Sequence, residues 1–139
     1  GQVSALEAFL MASRRVEDFY TSEKRLATEH ALIDDNGDGK GTPANFFSAV
    51  RPAKKPDEEA KVDGFRAHQI HFIYSEEEAK LPPEIRQRRN ELELKLEQAR
   101  ARKQQLKEDE YLAEIEPIIL ELSRLYRDAA SNAASDKAP

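Results

Sequence analysis

Cysteine is absent from the 139 residues. That removes disulfides, thiolate metal sites and a cysteine nucleophile, and it leaves the compartment open, since many cytosolic domains also lack cysteine. No glycine-rich phosphate loop occurs. Ser4, Ser13, Ser22, Ser48 and Ser75 all lack the G-x-S-x-G setting that exposes a hydroxyl nucleophile. No apolar run approaches the ~20 residues that span a bilayer. A basic excess is missing too: the net charge is -5, the opposite of the basic face that a nucleic-acid binder presents. Apolar residues make up only 39% and charged residues reach 35%, against the usual ~45–50% and ~25%. Such a chain suits amphipathic helices with wide solvated faces better than one core that buries everything. No targeting peptide is visible.

What is present predicts a mainly helical, all-α fold in four stretches. In the first, residues 1–50, Ser4 and Glu7 have the spacing of a capping box. Leu6, Phe9, Leu10, Val16, Phe19, Tyr20 and Leu26 follow at helical spacing. A long helix is expected to about Leu32, with a break allowed at Thr21-Ser22. A turn-forming loop, Asp34 to Gly41, comes next. Thr42-Pro43 then reads as an N-cap with proline at N1, which predicts a short helix to Val50. Residues 51–81 read as a charged connector holding the turn signal Asp63-Gly64 and an extended segment over 65–74. The tail 129–139 reads as disordered.

Residues 82–128 hold two amphipathic stretches. Ile85, Leu92, Leu96, Ala99 and Leu106 sit near coiled-coil heptad spacing, interrupted by Arg89 and Lys103. Leu112, Ile115, Ile119, Leu122, Leu125 and Tyr126 form the second stripe, with Pro117 placed to kink or restart it. One long rod is the alternative, since no Gly or Pro separates the stretches. The charges favour a hairpin. Residues 82–107 carry eight basic side chains against four acidic, and 108–128 carry seven acidic against two basic. Oppositely charged arms attract when folded back, so an antiparallel hairpin turning near Lys107–Glu110 is expected. Self-association through that hairpin is a further expectation.

The run Asp34-Asp35-Asn36-Gly37-Asp38-Gly39 matches the front of an EF-hand loop, D-x-[DN]-x-[DN]-G. Asp34, Asn36 and Asp38 would offer side-chain oxygens at positions 1, 3 and 5, Lys40 its carbonyl at 7, and Thr42 would fall at 9. Position 8 is Gly41 where an apolar residue is usual, and position 12 is Asn45 where a bidentate Glu is usual. Calcium held by such a set would be weakly bound, in the ~10⁻⁴–10⁻³ M class. Asp, Asn and Gly also simply make turns, and both readings stay open. Gly1 to Glu7 has the spacing of the back half of another such loop, with Val3 at position 8 and Glu7 at 12; a chance Gly before a capped helix explains it equally well. His30, His68 and His71, with Glu29, hold zinc-capable chemistry but no ligand-spacing signature, so they read as hydrogen-bonding packers. The helix carboxylates mix regularly with Lys and Arg and read as a solvated face.

The segments SALEAF, RRVEDFY, RLATEHALIDDNGDGKGTPANFF and DGFRAHQIH together resemble the C-terminal region of bacterial proteins with a caspase- or legumain-like cysteine peptidase domain upstream. The likeness covers roughly Gly1 to His71 and, more loosely, the helical end. In those proteins a D-x-D-x-D-G stretch leads into the S-x-LEAF helix, which agrees with the half-loop at Gly1–Glu7. The resemblance implies that this chain is a piece of a longer protein, with a periplasmic or extracellular setting favoured. It also implies that the catalytic His and Cys lie upstream, so no catalytic role passes to any residue here. The expected function is a non-catalytic accessory or interaction domain, with a weak calcium module as the alternative.

Overall fold

In the computed structural model the chain is described over residues 1–135, with side chains through residue 129. It is mostly helical, but short antiparallel strand pairs accompany the helices, so the all-α expectation holds only coarsely. Two compact units divide between Ser75 and Glu76. The expected connector 51–81 is therefore not a body of its own: most of it folds into the first unit, and its end opens the second.

The first unit begins with strand β1 (Val3–Ser4) and helix α1 (Ala5–Ser22). Ser4 caps α1 as the spacing predicts. Its hydroxyl accepts from the Glu7 N–H at 3.2 Å, and the Glu7 carboxylate accepts from the Ser4 N–H at 2.8 Å. Those bonds to Ser4, the backbone one foremost, hold the Glu7 carboxyl below its ordinary range. Leu6, one turn in, is fully buried. The helix stops at Ser22, well short of Leu32. The Lys24 N–H bonds to the Thr21 carbonyl and the Arg25 N–H to the Tyr20 carbonyl at 2.9 Å, which is a Schellman closure. Lys24 takes the left-handed position, φ 54, where glycine is usual because a Cβ strains that conformation. Lys24→Gly is therefore expected to stabilise the unit by about 0.5–1 kcal/mol, seen as a higher urea midpoint at unchanged slope. A lower midpoint would contradict that reading of the turn.

Strands β2 (Leu32–Ile33) and β3 (Thr42–Pro43) pair antiparallel and frame the Asp34–Gly41 loop. The expected helix from Pro43 to Val50 does not form. A 3-10 turn, Ala44–Phe46, leads instead into β4 (Phe47–Ser48), which pairs with β5 (Arg51–Pro52). The chain leaves the helical region at Phe47, φ -101 and ψ 145, and turns back through the left-handed Ala49, φ 51. The Thr42 hydroxyl donates to Asp63, and no side chain caps the 3-10 turn. Residues 65–74 are only partly extended: helix α2 (Phe65–Gln69) precedes strand β6 (His71–Ile73). Gly64 permits the entry to α2, with φ +103 and a Cβ position 2.7 Å from the Phe47 ring. β6 pairs antiparallel with β1, tying the two ends of the unit together.

The second unit contains α3 (Glu76–Lys80), α4 (Pro83–Ala101), a 3-10 turn (Lys103–Gln105) and α5 (Glu108–Ser135). α4 and α5 form the antiparallel hairpin. Arg88 on α4 donates to Glu121 at 2.8 Å and Arg102 pairs with Glu114, so positions rising on one helix meet positions falling on the other. The turn lies at residues 102–107 rather than at Lys107–Glu110. Glu108, Asp109 and Glu110 instead form the first turn of α5, where acidic side chains suit the positive end of the helix dipole. Leu92, Leu96 and Ala99 are buried along the seam. Arg89 does not break it, because Glu78 of α3 receives its guanidinium through two bonds of 2.7 and 2.6 Å. Pro117 lies inside α5 without ending it. The expected disordered tail is helical from Ala129 to Ser135, as alanine's high helix propensity allows; 136–139 lie outside the described residues. No helix among the described residues is long and apolar enough to cross a membrane.

Candidate functional site

The loop between β2 and β3 is held by its own side chains. Asp34 accepts from the Gly37 N–H at 2.8 Å through one oxygen and from the Gly39 N–H at 2.9 Å through the other. The Asn36 oxygen accepts from the Asp38 N–H at 3.0 Å, and Asp38 accepts from the Lys40 N–H at 2.9 Å. These are Asx turns in series. Gly37 and Gly39 take the left-handed conformations that the tight path requires, φ 76 and 75. The second Asp38 oxygen reaches across to the Lys61 N–H at 2.8 Å. The backbone N–H groups of Lys61 and Lys40 keep the Asp38 carboxyl below its ordinary pKa.

Behind the loop sits Asp63, 1% exposed. It accepts from the Thr42 hydroxyl at 2.6 Å, from the Asp35 N–H at 3.2 Å and from the Asn36 side-chain amide. Burial pushes the Asp63 carboxyl up, and the Thr42 and Asp35 bonds partly oppose it. The neighbouring Asp35 carboxyl adds to that upward push and also reaches α2. Its carboxylate accepts from the Ala67 N–H at 2.8 Å, satisfying one of the free donors at the start of α2. Asp35 and Asp63 thus join the loop, β3 and α2 into one body.

The six residues singled out as calcium ligands spread over the loop, β3 and the 3-10 turn that follows. Asp34, Asn36 and Asp38 share the loop. The Lys40 ammonium meets Asp57 at 3.1 Å and Glu59 at 3.3 Å. Lys40 holds Asp57 below its ordinary pKa, and Asp57 raises that of Lys40. Thr42 is buried against Asp63. Asn45 belongs to the 3-10 turn after β3. Among the described residues no group of three or more His, Cys, Asp or Glu side chains is placed to hold a metal. That includes His30, His68 and His71: His71 pairs with Gln2 beside β1, His68 lies on α2 and His30 lines a cleft. The Thr42–Asp63 pair has the elements of an activated hydroxyl, yet both groups are buried from any reactant.

Sequence reading missed Asp35 and Asp63 as the structural centre. Asp35 occupies an unassigned position of the loop pattern, and Asp63 signalled only a turn. It also missed a cleft of about 410 Å³ along α1, walled by Phe9, Ala12, Val16, Ala27, Pro43 and Phe46. Ser13 lines it, and the Ser13 Oγ is buried without a hydrogen-bond partner. The cleft is of a size that accepts a small ligand or a partner's side chains. No protein-family model, curated protein or solved structure matches this chain.

Proposed function

We propose that the chain is a non-catalytic accessory module of a larger peptidase-like protein, and that it works by docking another protein segment on the apolar side of α1. The observation that carries this reading is the exposure of Val16 and Phe19, one turn apart on the second half of α1, with Val16 also lining the cleft beside Phe9 and Ala12. A contiguous apolar surface of this kind marks an interaction site more often than idle surface. The orphan Ser13 hydroxyl adds a polar group for which a docked chain supplies a partner. The test is co-elution of this chain with the peptidase-like segment expected upstream of Gly1, the two expressed separately. The reading expects a complex that Val16→Lys/Phe19→Lys abolishes. Independent elution of the two parts would contradict it.

A second reading, weak calcium binding, is favoured by one observation. Asp34, Asn36 and Asp38 place oxygen-bearing side chains at alternate positions of a loop whose glycines already hold the tight turn. Lacking an acidic twelfth position, the loop is expected to bind calcium with Kd of ~10⁻⁴–10⁻³ M. Calorimetric titration of the wild type against Asp34→Ala checks it, and no heat from either protein would remove it.

A further inference from the structure

Among the described residues, helix α5 fully buries none of its apolar side chains. The buried seam of the hairpin, Leu92, Leu96 and Ala99, comes from α4 alone. On α5, Ile115, Ile118, Leu122 and Leu125 are half-buried, and Leu112, Ile119 and Tyr126 stand 49%, 43% and 47% exposed. These last three recur every seven residues. With Ile115 and Leu122 between them they form a seam of alternating three- and four-residue steps, the spacing by which helices pair. The ion pairs of Glu114 and Glu121 with α4 line one flank of the α4–α5 contact. The exposed seam runs along the other flank, where the Tyr126 hydroxyl donates to Glu93 of α4 at 3.4 Å. A unit of about sixty residues has little apolar surface to bury, and one with three buried apolar side chains gains from a further layer.

We propose that α5 pairs antiparallel with α5 of a second copy of this chain, about a two-fold axis at Ile119. The seam is symmetric about that residue. Leu112 lies seven residues before it and Tyr126 seven after, so Leu112 meets the Tyr126 ring of the second copy while Ile119 meets itself. The charges beside the seam agree. Asp109 and Arg127 are 18 residues apart, five helical turns, and so stand on the same side of α5. The axis brings Asp109 of one copy level with Arg127 of the other, to within ~3 Å along the helix, and it does so twice. Arg127 also interacts within its own chain. Parallel pairing would instead set Asp109 against Asp109 and Arg127 against Arg127, which repel. Leu120 is as exposed as the seam residues, but it lies ~100° round the helix from Ile119 and stays outside the contact. Three half-exposed side chains from each copy make a contact near or below the ~1,200 Å² at the low end of stable complexes, so the dimer is weak and concentration-dependent. It uses α5 and not α1, and it stands or falls apart from the accessory reading.

Sedimentation velocity on the full chain, from about 5 µM to about 1 mM, covers the span over which a weak interface dissociates. The mass is expected to climb from the 15.8 kDa of one chain toward twice that value. Ile119→Lys should weaken the association at least ~10-fold, while Leu120→Lys leaves it unchanged. Single thiols give a second readout that keeps the seam uncharged, because the chain has no cysteine of its own. Under mild oxidation Ile119→Cys, on the axis, should form a disulfide-linked dimer several-fold faster than Leu120→Cys. Leu112→Cys should also be slow, since antiparallel pairing holds the two Leu112 positions ~21 Å apart. A monomer throughout the concentration range overturns the proposal, and it is the result expected if the first unit covers this seam instead. A dimer that Ile119→Lys leaves intact overturns it too. Cross-linking of Leu112→Cys or Leu120→Cys as fast as Ile119→Cys overturns the antiparallel contact at Ile119.

Discussion

Asp63→Ala is expected to destabilise the first unit by about 3 kcal/mol at pH 7, because it strands buried donors at roughly 1–3 kcal/mol each. The Thr42 hydroxyl, the Asn36 amide and the Asp35 N–H all converge on this carboxylate. Only part of that loss is recovered when water enters the space. Asp63→Asn should behave differently. Its carbonyl still accepts from Asn36 and Asp35, its amide can donate to the Thr42 oxygen, and no charge is buried. The expected cost is under about 1 kcal/mol. The pH dependence separates the variants further. Burial raises the Asp63 pKa in the folded chain. The stability tied to this group is therefore complete below the unfolded carboxyl pKa and is lost as pH rises through the folded one. Asp63→Asn lacks that loss, so its stability should gain on the wild type as pH rises from 3 to 7. Urea melts of the three proteins across that range are the check. Equal losses for Asn and Ala would show that the negative charge itself holds the loop.

Glu78→Ala is expected to cost the second unit at least about 3 kcal/mol. Arg89 is buried on the α4 seam, and Glu78 receives both of its terminal nitrogens. The bonds to Glu78 raise the Arg89 pKa, so the guanidinium stays charged and, without Glu78, would be left buried with only the Asn90 oxygen and the more distant Glu93 carboxylate, at 4.0 Å, to answer it. The two partners are nearly equally covered, with side chains 10% and 11% exposed. Replacing both at once removes the stranded charge, so Glu78→Leu/Arg89→Met should lie within about 1 kcal/mol of the wild type. Thermal melts of the single and double variants form a closed cycle. A double variant as unstable as Glu78→Ala alone would mean that the pair stabilises the fold and does not merely satisfy itself.

These centres show where sequence reasoning stopped. The Ser4–Glu7 cap was legible because its partners lie three residues apart and the chemistry is local. The α4–α5 hairpin was legible because opposite charge had accumulated over two whole arms, so no single contact had to be known. α1 ends at the Thr21-Ser22 break that the sequence allowed, but Lys24 hid the manner of its ending, since the residue type that signals a Schellman turn is glycine and the chain does without it. The helix expected after Thr42-Pro43 gives way to a β4–β5 strand pair, and Thr42 instead fastens Asp63, 21 residues on. Asp35 caps a helix 32 residues away, and no spacing rule reaches that far. Arg89 looked like a flaw in a heptad for the same reason, its partner lying on a separate short helix. In the candidate site the pattern Asp34-x-Asn36-x-Asp38-Gly39 located the loop correctly. It could not show that the residues between and behind the motif, Asp35 and Asp63, are the ones that fasten it.

Val16 offers the most direct test of the accessory reading, because it stands half exposed on the α1 face proposed to dock and lines the cleft. The chain has no cysteine, so Val16→Cys places a single thiol there, and its alkylation can be followed by mass spectrometry with and without the peptidase-like segment. If α1 is the docking face, the thiol is alkylated readily in the isolated chain and several-fold more slowly in the presence of its partner. An alkylation rate that the partner leaves unchanged would contradict the proposed function.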